Sequence, residues 1–286
     1  MNDVILELLK RYDLKSFSDH ENALKEIIQE VALLGMWRSK FFEVGAFYGG
    51  TALRILYGLD RFSEDLDFSL LEKNLGFDIS KYAGFLQREL EAYGFEVCVE
   101  KKIKTANSVV ESAFVKADTQ VHLLKIGSQL KAQRSKLMKI KIEVDTDPPG
   151  DYQTEVVQHF TPTAFSVKTF DLATLFAGKI AATLFRPYKF NVKGRDWYDF
   201  LWYISRATPV SLSHLKARMV QSEKWSEEIP LTIEDVRRLM RERVEGLDIE
   251  AAKRDVTPFV RDKAFVEAWS KDLLTAACSK LTSDTE

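Results

Sequence analysis

Two carboxylates separated by one residue, Asp65 and Asp67, lie in the segment Arg61–Phe68, which reads RFSEDLDF. If this segment is a strand, the two carboxylates share one face, while Leu66 and Phe68 point into a core on the other. Mg²⁺ prefers oxygen ligands and keeps substrate phosphates among them. The spacing therefore predicts a Mg²⁺ site, with Mn²⁺ as the alternative ion.

A pair of glycines precedes this segment, in Gly49-Gly50-Thr51. A glycine turn that enters a helix presents free backbone N–H groups and the positive end of the helix dipole, which together favour phosphate. Because the predicted metal ligands and phosphate site lie close together in the chain, nucleotide chemistry is the leading hypothesis. Each pattern taken singly also has a simpler explanation, since paired glycines and Ser-Glu-Asp are both common in turns.

A third carboxylate is offered by the segment Lys139–Asp145, in which charged and apolar residues alternate strictly. Glu143 is predicted to join Asp65 and Asp67, and Asp145, on the same face, is the alternative. The same alternation is typical of any half-exposed strand.

A second cluster of charges follows in the C-terminal part of the chain. Lys179 lies in an otherwise apolar helix, with Arg186 on nearly the same face, and Arg195, Asp196 and Asp199 open the next helix. Lys179 is predicted to contact phosphate or an anionic partner, or else to extend its ammonium group into water. The two aspartates also suit a helix N-terminus on electrostatic grounds alone.

Strands and helices alternate up to about Val167, and only helices follow. Strands are predicted at 41–46, 66–70, 95–103, 109–117, 139–145, 155–159 and 165–167, and helices at 4–14, 23–36, 49–57, 78–93, 171–185, 195–205, 211–221, 233–245 and 264–281. A capping box at Ser18-Asp19-His20-Glu21 precedes the second helix. The pattern predicts an α+β protein with an α/β domain at 1–168 and a helical domain at 169–286.

Composition limits the class of protein. The 286 residues are 45% hydrophobic and carry a formal net charge of −2, so a nucleic-acid site would have to be a local patch. Cys98 and Cys278 are far apart and are predicted to be free thiols. Neither a signal peptide nor a membrane span is predicted, which favours a cytoplasmic protein.

Taken together and in order, these blocks resemble the AbiEii/AbiGii family of nucleotidyltransferase toxins, within the DNA polymerase β-like nucleotidyltransferase superfamily. The resemblance runs from about Phe42 to Trp202 and implies a minimal nucleotidyltransferase fold, a mixed sheet flanked by helices, followed by a helical C-terminal domain. It implies that Asp65, Asp67 and Glu143 bind metal, and that Lys179, Asp196 and Asp199 join them as catalytic residues. The implied nucleotide-binding residues are Gly49, Gly50, Thr51, Ser63, Lys141, Arg186 and Arg195.

The resemblance implies transfer of a nucleoside monophosphate from an NTP to an acceptor hydroxyl, and a separately encoded antitoxin as partner. The resemblance also implies an RNA acceptor such as a tRNA 3′ end. Ten basic residues opposed only by Glu111 and Asp118 suit a phosphate backbone, or else form a solvated face whose charge is balanced elsewhere. These are Lys101, Lys102, Lys104, Lys116, Lys125, Lys131, Arg134, Lys136, Lys139 and Lys141. Two alternatives remain: a small-molecule, antibiotic-type nucleotidyltransferase, for which an acidic cleft is expected, and a non-catalytic partner-binding module.

Overall fold

The computed structural model describes residues 3–101, 110–117, 138–186 and 192–285, without the side chains of 98–101, 110–117 and 138. The chain divides into two compact units. Unit 1 comprises Met1–Tyr57, Phe62–Pro148 and Val156–Thr169, and unit 2 comprises Gly58–Arg61, Pro149–Glu155 and Phe170–Glu286. The predicted domain boundary between residues 168 and 169 stays a prediction. Unit 2 differs from the predicted helical domain by including two short earlier segments, Gly58–Arg61 and Pro149–Glu155.

Unit 1 is built around a mixed sheet of seven strands with the order β3-β4-β5-β2-β1-β7-β6. The strands are β1 (Gly45–Tyr48), β2 (Leu66–Leu70), β3 (Val97–Lys101), β4 (Val110–Ala117), β5 (Met138–Asp145), β6 (Thr154–His159) and β7 (Phe165–Phe170). Strand β2 pairs antiparallel with β1 and parallel with β5, so it is central in the sheet. This mixed sheet, followed by helices, confirms the predicted α+β class.

One face of the sheet is apolar and packs on helices. The helices of unit 1 are α1 (Asp3–Leu9), α2 (Phe17–Arg38), α3 (Gly49–Tyr57) and α4 (Ser80–Ala92). Leu66, Phe68, Ile142 and Val144 are buried in the same core as the α2 residues. Because strand side chains alternate, burial of these residues leaves Asp67 and Glu143 on the opposite face.

Two local predictions in unit 1 are wrong. The capping box is formed by Ser16 and Asp19, not by Ser18 and Glu21, so α2 begins at Phe17. The predicted strand at 41–46 is a 3₁₀ turn at Phe41–Glu43 followed by β1. Lys40, in the left-handed region at φ 62°, turns the chain there. A short apolar run fits a buried turn as well as a strand.

Unit 2 is helical. Its helices are α5 (Leu172–Phe185), α6 (Gly194–Ser205), α7 (Leu212–Gln221), α8 (Ile233–Glu245), α9 (Ile249–Val256), α10 (Lys263–Glu267) and α11 (Lys271–Cys278). The long helix predicted at 264–281 is wrong, because Ser270 starts a new helix by accepting the N–H of Leu273. Cys278 is a buried free thiol, and in the part of the chain described here no helix has the length and apolarity to cross a bilayer.

His214 on α7 is a buried histidine in its neutral form. Its Nδ1 donates to the carbonyl of Gly150 at 2.8 Å, and its Nε2 accepts from Nε of Arg218 at 2.9 Å. Burial, reinforced by the charge of Arg218, lowers the pKa of His214 from 6.5 to about 4.

Acidification is therefore expected to destabilise unit 2 through His214. Between pH 6.5 and about 4 the unfolded histidine binds a proton that the folded one excludes, so stability is lost as the pH falls, by up to about 3 kcal/mol. Urea unfolding of the wild type and of His214→Asn at pH 7 and pH 5 measures this. The variant should show the smaller pH dependence, and equal pH dependence in the two proteins would contradict it.

Candidate active site

A row of polar side chains crosses three strands of unit 1 in register. Asp67 of β2 is directly opposite Tyr48 of β1 and Glu143 of β5. Residues paired in this way project from the same face as close neighbours. The two acids that sequence reasoning selected from distant segments are therefore adjacent, both partly exposed, and Asp65 precedes β2 by one residue.

Gly49, the first residue of α3, lies against the carboxylate of Asp67. Its φ is +82°, and a Cβ at this position would lie 2.5 Å from Oδ2 of Asp67. Only glycine meets both conditions, because it adopts positive φ without strain and has no side chain to clash. The start of α3, whose first N–H groups have no partner within the helix, is thereby placed beside a predicted metal ligand.

Gly49→Ala is expected to destabilise the protein by about 1–2 kcal/mol and to reduce nucleotidyl transfer, because the methyl group displaces the Asp67 carboxylate. Gly58→Ala is the matched control, since Gly58 also has positive φ, +75°, but no atom within 4 Å of its added Cβ. Thermal unfolding measures the backbone strain that both variants share, and the transfer rate measures displacement of the Asp67 carboxylate, which is expected only in Gly49→Ala. Equal loss of activity in both variants would contradict this reasoning.

Thr51, predicted to contact phosphate, connects α3 to the segment before β2. Its fully buried hydroxyl donates to the backbone carbonyl of Asp65 and lies 2.9 Å from the hydroxyl of Ser63. The carbonyl of Ser63 accepts in turn from Nε2 of Gln29, which is buried on α2. These bonds fix the backbone that carries Asp65, and the phosphate-binding role of Gly50, Thr51 and Ser63 stays a prediction.

Glu143 makes a 2.6 Å ion pair with Lys141, its neighbour on the same face of β5. Asp145, the alternative third acid, is opposite Ser69, one pair farther along β2. It also accepts the backbone N–H of Asp147 at 3.0 Å. Across residues 3–101, 110–117, 138–186 and 192–285, no three His, Cys, Asp or Glu side chains are gathered as a metal site.

The donor set nevertheless suits a hard cation. It consists of carboxylates, two of them in direct register and one two residues away, and oxygen ligands are those that Mg²⁺ takes. Register distinguishes Glu143 from Asp145, since only Glu143 is directly opposite Asp67. The metal-binding assignment of Asp65, Asp67 and Glu143 stays a prediction.

In unit 2, a buried network of charges surrounds Lys179. Its Nζ lies 2.9 Å from Oδ1 of Asp196 and 2.8 Å from Oδ2 of Asp199. Asp199 is fully buried and also accepts two hydrogen bonds of 2.6 Å from the guanidinium of Arg61. Arg186 contacts the second oxygen of Asp196 at 2.8 Å. Lys179 is thus enclosed by carboxylates rather than extended into water, which is one of the alternatives that the sequence left open.

The electrostatics keep this network ionised. Burial opposes charge on Lys179, but Asp196 and Asp199 outweigh it and raise the Lys179 pKa. Burial likewise opposes charge on Asp199, and Arg61 and Lys179 together lower the Asp199 pKa. Two cations and one carboxylate are therefore held in a fixed, charged arrangement.

Arg61 has a partner that sequence reasoning missed. It belongs to the same RFSEDLDF segment as the paired acids, yet its only assigned property was its place in the motif. Its partner Asp199 is 138 positions away, so no local pattern shows the pair. The only sequence signal was an arginine four residues before Asp65, and it does not identify the partner.

Arg195, the remaining predicted site residue of unit 2, has structural partners. Arg195 lies over the ring of Phe259 at 4.2 Å and 3.9 Å from Asp255. Gly194 lies so close to α9 that a Cβ there would be 1.8 Å from the carbonyl oxygen of Ala252. Most of the predicted basic tract falls outside the described residues.

Comparisons with known proteins were made on this basis. A family profile described as "Nucleotidyl transferase AbiEii toxin, Type IV TA system" matches residues 31–271. Among solved structures, JHP933 from Helicobacter pylori is similar at 15% identity and TM-score 0.49, over 90% of this chain and 88% of that one. A second H. pylori structure, a candidate nucleotidyltransferase, is similar at 16% identity and TM-score 0.46, over 91% and 90%. No curated protein matches the chain.

Proposed function

Because the chain belongs to the AbiEii family of nucleotidyltransferase toxins of type IV toxin–antitoxin systems, we propose that it transfers a nucleoside monophosphate from an NTP to a hydroxyl of RNA. The observation that carries this proposal is the register of Asp67 with Glu143, with the glycine turn of α3 against the Asp67 carboxylate. The proposed metal ligands and the proposed phosphate site would thereby be adjacent in one unit.

Asp65, Asp67 and Glu143 would hold Mg²⁺, for which Mn²⁺ is the alternative. Bound divalent ions would supply Lewis acidity and would activate the acceptor hydroxyl. Around them, the backbone N–H groups of Gly49 and Gly50 would bind phosphate oxygens, aided by the dipole of α3. Lys141, paired with Glu143, would offset negative charge beside the carboxylates.

We propose a distinct role for each residue of the buried network. Lys179 would supply a positive charge that stabilises the triphosphate as negative charge develops, with Asp196 orienting its ammonium group. Asp199 would act as a positioning residue for Lys179, since it is fully buried and already bonded to Arg61. Arg186, whose side chain is 47% exposed, is the member of the network open to solvent.

An RNA acceptor, such as a tRNA 3′ end, is supported by the basic tract between Lys101 and Lys141. Cationic side chains favour a polyanion and disfavour a cationic drug. RNA and NTPs are present together in the cytoplasm, where we expect the protein to act, and the family implies a separately encoded antitoxin.

The test uses the purified full chain with Mg²⁺, each of four α-labelled NTPs and total cellular RNA. Label is expected in a discrete RNA band from the wild type and in none from Asp65→Ala with an unchanged thermal transition. Growth arrest on expression, relieved by Asp65→Ala, supports the toxin role. Label found only on small molecules would refute the RNA acceptor, and label in no product would refute catalysis.

A further inference from the structure

A cavity of about 540 Å³ lies in unit 2 and has no part in the chemistry proposed above. Its floor is one face of α6, where Tyr198, Leu201 and Trp202 follow helical spacing and are each more than nine-tenths buried. Phe265 of α10 and Leu273 of α11 form its wall and are 41% and 40% exposed. The cavity is therefore an aromatic-lined recess with an open mouth.

Two carboxylates and one lysine line this recess. Asp60 and Asp262 both line it, and Oδ1 of Asp262 accepts the N–H groups of Ala264 and Phe265 at the start of α10. Burial, together with the charges of Asp60 and Asp262, raises the pKa of Tyr198 to about 12. Both carboxylates thus act on the same phenol.

The hydroxyl of Tyr198 is a second feature of the recess, separate from the carboxylates of Asp60 and Asp262. The residue is 6% exposed, and within the described residues its oxygen has no hydrogen-bond partner. Because Tyr198 lines the recess, its hydroxyl is available to a ligand group that enters there. Asp60, exposed and likewise without an ion-pair partner among the described residues, supplies a full negative charge at the same place.

The chemistry that satisfies these groups is a protonated nitrogen on an apolar stem. An ammonium or guanidinium group would pair with Asp60 and donate to the phenol oxygen, while its stem would cover the aromatic floor. Within the chain itself, the guanidinium of Arg206 lies 4.4 Å from the Trp202 ring centroid, which is a cation–π contact of the same kind. Lys280 also lines the recess, so the ligand must be able to enter beside one lysine.

We propose that the recess between α6, α10 and α11 is a binding site for an organic cation, either a free aliphatic amine or a basic side chain of a peptide. This site lies beyond the proposed transfer reaction and does not depend on it. It adjoins the charged network within unit 2, because Asp60 precedes Arg61 and Tyr198 precedes Asp199 in the chain. A bound cation would therefore stabilise both segments that carry the Arg61–Asp199 pair.

The experiment measures binding of spermidine and of N-acetyl-arginine amide to the full chain by calorimetry, at moderate salt and without nucleotide. Asp60→Asn is expected to weaken binding at least about fivefold, the effect of losing one charge-assisted hydrogen bond. Tyr198→Phe is expected to weaken it less, because the ring remains. Glu228→Gln, which removes an exposed charge of unit 2 outside the recess, is the matched control and should bind as the wild type does.

The two probes separate the sources of the ligand. Tighter binding of spermidine identifies a free amine, and tighter binding of the arginine amide identifies a peptide side chain. Equal affinity of the wild type and Asp60→Asn for both probes, or no binding of either at millimolar concentration, would overturn the proposal. Because the readout is binding alone, failure here leaves the transfer reaction untouched, and a protein inactive in transfer can still bind either probe.

Discussion

Replacing Asp67 by asparagine is expected to reduce nucleotidyl transfer by at least about a hundredfold, comparable with the loss of one major electrostatic contact in an active site. The substitution keeps the size and shape of the side chain, so it preserves the close packing against Gly49. It removes the charge that would hold a divalent ion beside the start of α3. The measurement is the rate of label transfer from an NTP under saturating Mg²⁺.

Asp145→Asn is the matched control for this effect. Asp145 is an acid on the same face of β5, but it is opposite Ser69 and already accepts the N–H of Asp147. If Glu143 is the third acid, Glu143→Gln should resemble Asp67→Asn, and Asp145→Asn should remain active. If instead Asp145→Asn is inactive and Glu143→Gln is active, the third acid is Asp145, farther along β5. Activity retained in Asp67→Asn would refute the metal-binding role.

The requirement of the transfer reaction for a divalent ion is a second test of the metal-binding role of Asp67. Chelation should abolish transfer by the wild type, and added Mg²⁺ should restore it. Binding of NTP by Asp67→Asn in the presence of Mg²⁺ then separates loss of metal from loss of the phosphate site. If the variant still binds NTP in the absence of metal, the binding is attributed to the backbone N–H groups at the start of α3.

Much of unit 1 could be predicted from the sequence because its signals are local. Alternation placed β2 at 66–70, as observed, and assigned Asp67 and Leu66 to opposite faces. The same rule assigned Glu143 and Asp145 equally to one face of β5. Only the pairing of β2 with β5 distinguishes the two acids, and strand register is set by contacts between segments far apart in sequence.

The errors have equally specific causes. Ser16 and Ser18 are both followed three residues later by an acid, so the capping-box rule fits either, and the observed helix uses the earlier pair. The helix α9 was not predicted, although Asp248 caps it by accepting the N–H of Ala251. At eight residues it is shorter than the window over which apolar periodicity identifies a helix. It also lies close against Gly194, a contact that the sequence alone does not show.

In unit 2, sequence reasoning found the acids and Lys179 but not how they combine. The resemblance implied a catalytic role for Asp196 and Asp199, and the alternative was that they simply suit a helix N-terminus. The structure shows that Asp199 is fully buried between two cations from different segments, Arg61 and Lys179. A partner 138 positions away leaves no trace in local periodicity, so only tertiary contacts distinguish a solvated acid from a buried one.

Asp199→Asn is accordingly expected to lower the free energy of unfolding by about 3–5 kcal/mol, the typical cost of removing one partner from a buried ion pair. The neutral amide would leave Arg61 and Lys179 close together without their shared counter-charge. Urea unfolding at pH 7 measures the change. Glu242→Gln, which removes an exposed helix-surface partner of Arg238, is the control and should unfold like the wild type.

The pH dependence of the free energy of unfolding tests the same network at both low and high pH. The pKa of Asp199 is lowered in the folded protein, so its stabilising contribution is present above the ordinary value of 3.8 and is lost as the pH falls through the folded value. The pKa of Lys179 is raised, so its contribution is present below 10.5 and is lost as the pH rises through the folded value. Asp199→Asn should therefore flatten both limbs of the stability curve. A curve that keeps the acid limb of the wild type would show that Asp199 is not the buried counter-ion, and the positioning of Lys179 would then have to depend on Asp196 alone.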